Sequence, residues 1–412
     1  MEKIRGVNLG NWLVLEKWMS PDVFEGTGAD DEVWLNRLLP PRELADRLKA
    51  HRDTYITKED FQYLALHGVR TVRIPVPYFI FGDRPPFGGC IEYLDMAFSW
   101  AEEYGMQILI DLHTVPGGQN GYDNGGLTGV CKWHKNPEEV EFVLTVLERL
   151  AKRYALREAL FGIEVLNEPI SLSVYLTAPS TGKAKDPEEA KGSGYVPMRF
   201  LREFYAEAYK RLRRILPTEK AIVFHDGFRL TRWKNFFKEY KMEHVYLDTH
   251  IYIYAMETVT HIAAPWLYKA YVRLSEYTIR RVQKKVPVLV GEWCISSRYA
   301  DRLGKGAAEG SKEKEQQKEC YRAIYEQQRK AWEKGAGWFY YNYQMLRDRE
   351  AEPDESWKES WDLCRCFQNG WLPQNLEEDG QEADAGKDMQ PEESRETASE
   401  KHEKQKERRE TA

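Results

Sequence analysis

The feature that most constrains this chain is an alternation. Eight short runs of nearly continuous apolar or β-branched residues occur between Ile4 and Tyr341, each followed by a turn-rich stretch and then a segment of helical period. The runs are Ile4–Leu9, Thr71–Pro75, Gln107–Leu112, Gly162–Leu166, Ala221–Phe224, Val245–His250, Val288–Gly291 and Gly337–Tyr341. Continuous apolar character over four to six residues is the pattern of parallel strands buried on both faces, whereas half-exposed hairpins alternate. Between them Val140, Val143, Leu144, Leu147, Ala151 and Tyr154 keep to one helical face, as do Leu201, Phe204, Tyr205, Ala208, Leu212 and Ile215. Further helical segments fit Asp60–Leu66, Ile91–Glu103, Trp266–Arg281 and Lys314–Lys334. Eight such units predict an α/β fold, a closed (β/α)8 TIM barrel with long insertions in its βα loops. A doubly wound open sheet is the alternative, and it is disfavoured because no G-x-G-x-x-G follows any run.

Two connections exceed the usual few residues. Gly10–Thr57 carries Trp12, Trp18 and Trp34, and Ile170–Pro197 is rich in Ser, Gly, Lys and Pro. Both follow the C-terminal ends of strands, the face on which barrels build active sites, so both are expected to wall a pocket. From Leu372 to Ala412 the composition changes: about half the residues are charged and none is aromatic. Such a segment buries too little apolar surface to order itself. The expected organisation is a catalytic barrel over 1–371 and a charged, disordered tail over 372–412.

Composition excludes several function classes. The 60 Lys and Arg against 66 Asp and Glu give a net charge of −6, the opposite of the field a non-specific nucleic-acid binder needs. No stretch reaches the roughly 18 to 20 apolar residues that cross a bilayer. Lys3–Leu9 already reads as a strand with no signal-like run before it, so the expected location is cytoplasmic. Six cysteines are too few for a disulfide scaffold and are expected to be free. A zinc site recruiting Cys131, His134, Cys364 and Cys366 fits the usual ligand spacing only loosely, so neither metal nor cofactor is expected. Aromatic residues reach 13%, with 13 Trp and 24 Tyr, which serve either as core filler or as flat platforms for ligands such as sugar rings.

Chemistry on this fold gathers at strand C-termini, and two carboxylates sit there. Glu168 lies in Gly162-Ile-Glu-Val-Leu-Asn-Glu-Pro169 and Glu292 in Val288-Leu-Val-Gly-Glu-Trp293. On the fourth and seventh strands they face each other across the mouth, and paired carboxyls flanking a bond are what glycoside hydrolysis requires. Arg73, His113, Asn167, His250 and Tyr252 converge on the same face. Taken singly each is weak: a histidine at a strand end is more often structural, and Arg73 is equally suited to pairing a core carboxylate.

The ordered set of these segments resembles glycoside hydrolase family 5 of clan A, and within it the exo-β-1,3-glucanase branch. The resembling segments are Arg5–Glu16, Val72–Pro75, Ile110–His113 with Gln119–Asn124, Leu166–Pro169, His225–Asp226, His250–Tyr252 and Gly291–Trp293. The resemblance implies a retaining β-glycosidase with Glu168 as acid/base and Glu292 as nucleophile. It implies that Arg73 orients the nucleophile, that Tyr252 sits beside it, that Asn167 bonds the sugar 2-hydroxyl, and that His113 and His250 complete the floor. Glu16, Asp123 and Asn124 would close over the non-reducing sugar, with Tyr122 at the entrance and Tyr341 beneath the ring. A retaining pair close together would let the charge on Glu292 raise the pKa of Glu168. The expected substrate is a β-glucan oligosaccharide or β-glucoside, most simply a β-1,3-glucan-type chain cut from its end, by a monomer or simple homo-oligomer. An endo-β-1,4-glucanase or broad β-glucosidase on the same scaffold is the near alternative. More distant ones are a carbohydrate-binding barrel without catalysis and a metal-dependent hydrolase using His113, His225, Asp226 and His250.

Overall fold

The computed structural model describes residues 3–177, 183–308, 310–345 and 355–377. Its strands are β1 (Ile4–Asn8), β2 (Thr71–Val76), β3 (Gln107–Leu112), β4 (Leu160–Glu164), β5 (Ala221–His225), β6 (Val245–His250), β7 (Val288–Trp293) and β8 (Gly337–Tyr340). All neighbours pair in parallel, and β8 closes on β1 with Ile4 opposite Gly337, so the sheet is the expected eight-stranded barrel. Leu109, Ala221, Val223, Tyr246, Leu289 and Phe339 fill its interior, while a larger apolar cluster lies between barrel and helices. Burial on both sides explains why the strands read as unbroken apolar runs.

Most strands fall within a residue or two of the expected positions, with one informative exception. Gly162–Leu166 was the expected fourth strand, whereas the ladder spans Leu160–Glu164. Val165 and Leu166 are fully buried just beyond it, and although the Val165 N–H still donates to the Val223 carbonyl of β5, their apolar character marks burial more than continued strand. The register also shifts within the β6–β7 and β7–β8 pairs, beside His250 and Glu292, as bulges often do next to functional residues.

The helices follow their sequence signals. Pro137–Tyr154 begins with Asn136 capping Glu138 and Glu139 N–H groups and Pro137 in the first turn, and it ends on Lys152 and Arg153. Lys58–Leu66 opens with a reciprocal capping box between Thr57 and Asp60. Gly10–Thr57 contains two helices, Glu32–Leu38 and Pro41–Tyr55, over a small apolar cluster of its own that includes Leu15, Phe24, Leu35 and Leu48. Trp12 belongs to the core, fully buried with its Nε1 donating to the Arg52 carbonyl. None of the described helices is long and apolar enough to cross a membrane.

The compact unit runs to Glu377. The expected tail boundary at Leu372 is therefore early: Leu372 and Leu376 are buried, and Arg70 bridges Glu377 at 2.7 Å. Two well-spaced leucines suffice to hold this strip even though it lacks aromatics. The rest of the expected tail, 378–412, lies outside the described residues.

Candidate active site

The C-terminal ends of the strands bring together the two carboxylates singled out in the sequence. Glu292 is the fifth residue of β7, and the preceding Gly291 is required there. A Cβ at position 291 would fall inside the Asp248 carboxylate, whose Oδ1 accepts the Gly291 N–H at 2.5 Å. Glu168 sits four residues past the end of β4 with φ at 44°, a left-handed conformation that non-glycine residues adopt at some cost and that clusters at functional sites.

Arg73, fully buried on β2, ties the floor together. Its Nε donates to Glu164 at 2.8 Å, and its Nη1 donates to Asn8 and to Glu292 Oε1, both at 2.9 Å. Its Nη2 donates to Asn167 Oδ1 at 2.9 Å and lies 3.1 Å from Asp111. One planar guanidinium thus fixes the Glu292 carboxylate and the side chain of Asn167 together, a fork that a lysine could not reproduce. Burial lifts the Glu164 carboxyl well above the usual range, against the opposing charge of Arg73. Glu292 receives a further hydrogen bond from the Tyr252 hydroxyl at 2.8 Å. Asn167 Nδ2 is 3.3 Å from His113 Nε2, while His113 Nδ1 reaches Asp111 at 2.5 Å, which assigns the tautomer with hydrogen on Nδ1.

His250 stands between the two carboxylates. Its Nδ1 is 2.8 Å from Glu168 Oε1 and 3.3 Å from Glu292 Oε2, so those two oxygens are no more than about 6 Å apart. Its Nε2 is 3.3 Å from Asp248. Both ring nitrogens face carboxylates, which a neutral imidazole with one N–H cannot satisfy by donation alone. Burial opposes the charged form, yet the charges of Glu292 and Asp248 hold the His250 pKa well above its ordinary value.

This arrangement corrects one expectation. Burial alone would raise the Glu168 pKa, but the hydrogen bond and charge of His250, with a 3.0 Å hydrogen bond from Asn124, leave it lowered. Glu292 is the group whose pKa is raised, by burial above all and also by Glu168. The hydrogen bond and charge of His250, 2.8 Å from Glu168, outweigh burial and decide the sign.

The remaining expected residues form the wall. Glu16 is buried, accepts Trp18 Nε1 at 2.9 Å and the Tyr341 hydroxyl, and is raised to about 7 by burial and by the charge of Asp123. Asp123 and Asn124 lie on a short 3-10 turn, Asp123–Gly125. Tyr122 is half-buried near Glu168, its pKa pushed up to about 12 by burial and by that charge. Tyr341 is buried, and its ring meets Trp361 edge-on at 6.4 Å.

Several site residues escaped the sequence reading. Trp361 stacks on Tyr252 with centroids 5.1 Å apart, and Trp357 stacks on Trp18 at 6.0 Å. Asn8, Asp111, Glu164 and Asp248 complete the polar floor. The acids had a signal: Asp111-Leu-His113 and Asp248-Thr-His250 repeat one Asp-x-His spacing at two strand ends, and period two puts both members on one face. Among the described residues two groups have donor atoms within 4.8 Å, Glu168 with His225 and His250, and Glu164 with Asp248 and His250. Both lie inside the hydrogen-bonded floor, where His250 and Glu164 are already engaged, and neither includes a cysteine.

A family profile described as Cellulase (glycosyl hydrolase family 5) matches residues 46–345. The chain belongs to glycosyl hydrolase family 5. It is therefore an O-glycosyl hydrolase, and its sequence groups with the exo-β-1,3-glucanase-like branch. A protein of Emericella nidulans named probable glucan 1,3-beta-glucosidase A is 32% identical, with 91% of each chain covered. A glucan 1,3-beta-glucosidase of Blumeria graminis is 29% identical over 91% of this chain and 88% of its own. Among solved structures, the rutinosidase from Aspergillus niger superposes with a TM-score of 0.68 at 21% identity, covering 90% of this chain and 97% of that one. In this family 5 enzyme the two carboxylates and Arg73 occupy the strand ends on which barrel enzymes do their chemistry.

Proposed function

We propose that this family 5 enzyme hydrolyses β-glucosidic bonds with retention, removing the terminal sugar from β-1,3-glucan-type oligosaccharides. The observation that carries the reading is the separation of Glu168 and Glu292, whose nearest bridged oxygens are within about 6 Å through His250. That gap suits a covalent glycosyl–enzyme intermediate and is tight for the extra water an inverting pair must hold. Glu292 attacks the anomeric carbon, with Arg73 and Tyr252 holding its two oxygens and favouring its charged form against burial. Glu168 protonates the departing oxygen and then, as a carboxylate, takes a proton from the water that hydrolyses the ester. The linkage is supported by the names of the fungal relatives, glucan 1,3-beta-glucosidases, and by the resemblance that assigns Glu16 and Asp123 to the closed end of the pocket. We also place the enzyme in the cytoplasm, a reading supported by six free cysteines, five of them buried.

The test is a product analysis. Incubated with laminari-, cello- and gentio-oligosaccharides, the protein is expected to release β-glucose first, from the laminari series fastest. Internal fragments from cello-oligosaccharides would favour endo-β-1,4 action, equal rates on all three a broad β-glucosidase, and an α-anomer as first product would overturn the retaining assignment.

A further inference from the structure

The apolar side chains left on the surface of the barrel are unevenly distributed. Of the thirteen large ones exposed among the described residues, six fall between positions 254 and 277: Tyr254, Val259, Ile262, Trp266, Leu274 and Tyr277. Trp266 and Leu274 are each 65% exposed and Tyr277 is 61% exposed. The other seven are scattered between Leu38 and Tyr240, and scattered apolar residues on a surface need no partner. A run of six calls for one.

The run rides on two consecutive helices, Ile253–Thr260 and Pro265–Gln283. Tyr268, Val272, Ile279 and Val282 pack the longer helix on the core. At 3.6 residues per turn Trp266, Ala270, Leu274 and Tyr277 share about 80° of arc on the opposite side, so a second apolar stripe points outward. The patch starts at the mouth of the barrel, where Tyr254 follows β6 by four residues and meets Trp361 edge-on at 6.3 Å.

Its charge is as uneven as its apolarity. Pro265–Lys285 holds Lys269, Arg273, Arg280, Arg281, Lys284 and Lys285 against Glu276 alone, in a chain whose net charge is −6. Among the described residues only Arg280 of these six has a carboxylate partner, Glu276 at 2.9 Å. Cations frame the upper end as well: Arg298 lies over the Tyr254 ring at 5.0 Å, and Arg302 Nη2 donates to the Ala263 carbonyl at 3.3 Å.

These two properties together select the partner. A second copy of the chain would set the cations against themselves across a twofold axis, which is costly. A nucleic-acid duplex offers phosphates to the cations but no place for Val259, Ile262 and Leu274. An anionic bilayer meets both demands: its headgroups take Lys and Arg, its interfacial layer takes Trp and Tyr, and the edge of its hydrocarbon takes Leu, Ile and Val. No spanning segment is needed, because a helix of this kind lies along the surface. We propose that the outer faces of Ile253–Thr260 and Pro265–Gln283 dock the enzyme on anionic phospholipid membranes, with the mouth of the barrel beside the lipid.

The experiment sediments the full-length protein with vesicles of phosphatidylcholine alone and of phosphatidylcholine mixed in equal parts with phosphatidylglycerol. The protein is expected to partition onto the mixed vesicles, to stay in solution with the neutral ones, and to be released at about 0.5 M salt, where screening shortens electrostatic reach to about 4 Å. Arg273→Gln and Arg281→Gln are each expected to weaken partition about fivefold. Leu274→Ser is expected to weaken it too, and all three to leave the circular dichroism spectrum unchanged, because these side chains are exposed on the outer face. Equal partition onto both kinds of vesicle, or onto neither, overturns the proposal. So does a dimer that Leu274→Ser dissociates, or tighter binding to a DNA duplex than to the mixed vesicles. The wild-type comparison decides the matter whether or not the variants fold, and it reads partition and not hydrolysis, so it stands apart from the glucosidase assignment.

Discussion

Replacing Tyr252 with Phe removes one hydrogen bond from Glu292, the proposed nucleophile, and little else. The Tyr252 hydroxyl donates to Glu292 Oε2 at 2.8 Å, and the ring stacks on Trp361 at 5.1 Å, a contact that Phe retains. Hydrogen bonds to charged groups contribute about 1.5–3 kcal/mol, and each pKa unit corresponds to about 1.4 kcal/mol. Arg73 Nη1 at 2.9 Å and His250 at 3.3 Å continue to stabilise the carboxylate, so the low end applies and the shift is about one unit. The sign follows from what the donor favours. It stabilises the ionised form, so its loss raises the Glu292 pKa further in the direction in which burial already pushes it. Glu292 attacks only when ionised, so the acid limb of kcat/KM against pH must move to higher pH by about one unit. Stopped assays with an aryl β-glucoside across the acidic range measure this directly. An acid limb that stays in place, or moves to lower pH, would refute the assignment of Glu292 as the ionised nucleophile held by Tyr252.

Glu292→Ala is expected to abolish turnover, while Glu168→Ala lowers it about 10²–10⁴-fold on unactivated substrates and spares the first step with good leaving groups, seen as a nitrophenol burst. Arg73→Met strands Asp111, Glu164 and Glu292 without their shared cation, and urea denaturation should report a loss of about 3–5 kcal/mol; an unchanged midpoint would contradict the buried hub. Dialysis against a chelator should leave kcat/KM unaltered, because the carboxylates and His250 already account for every step; a loss restored by a divalent ion would sink that account.

The barrel was legible because its strands are buried on both faces, so hydrophobic runs and strand positions coincide almost everywhere. They part company after β4, where Val165 and Leu166 are as buried as any strand residue although the ladder has ended at Glu164. A one-dimensional pattern records burial and cannot register where pairing stops. That Glu168 and Glu292 would share one face was legible because both stand at the C-terminal ends of apolar runs, in Asn167-Glu168-Pro169 and Gly291-Glu292-Trp293. Trp357 and Trp361 were not legible, since they follow the last strand and reach the site only by packing on Trp18 and Tyr252, each more than a hundred residues earlier. The strip 372–377 was misread for a related reason: Leu372 and Leu376 find a ready-made apolar surface, which composition alone does not reveal.

The placement of His250 changes how the two acids divide their work. Were Glu292 and Glu168 alone in the pocket, the charge of one would hold the proton on the other; here the His250 ring lies between them and competes for it. The 2.8 Å Glu168–His250 hydrogen bond lowers the Glu168 pKa and raises that of His250, so the two groups titrate as one unit. A bound sugar displaces water from Glu168, and desolvation of a carboxylate raises its proton affinity. It also weakens the imidazolium, so both effects drive the proton toward oxygen, where the departing group can take it. Ester formation then cancels the Glu292 charge, which together with Asp248 was what kept His250 charged. The pair stays poised to accept a proton from water, and hydrolysis of the ester restores the charge and the resting state. The basic limb of the pH profile consequently belongs to Glu168 and His250 as a pair, and no single-residue pKa describes it.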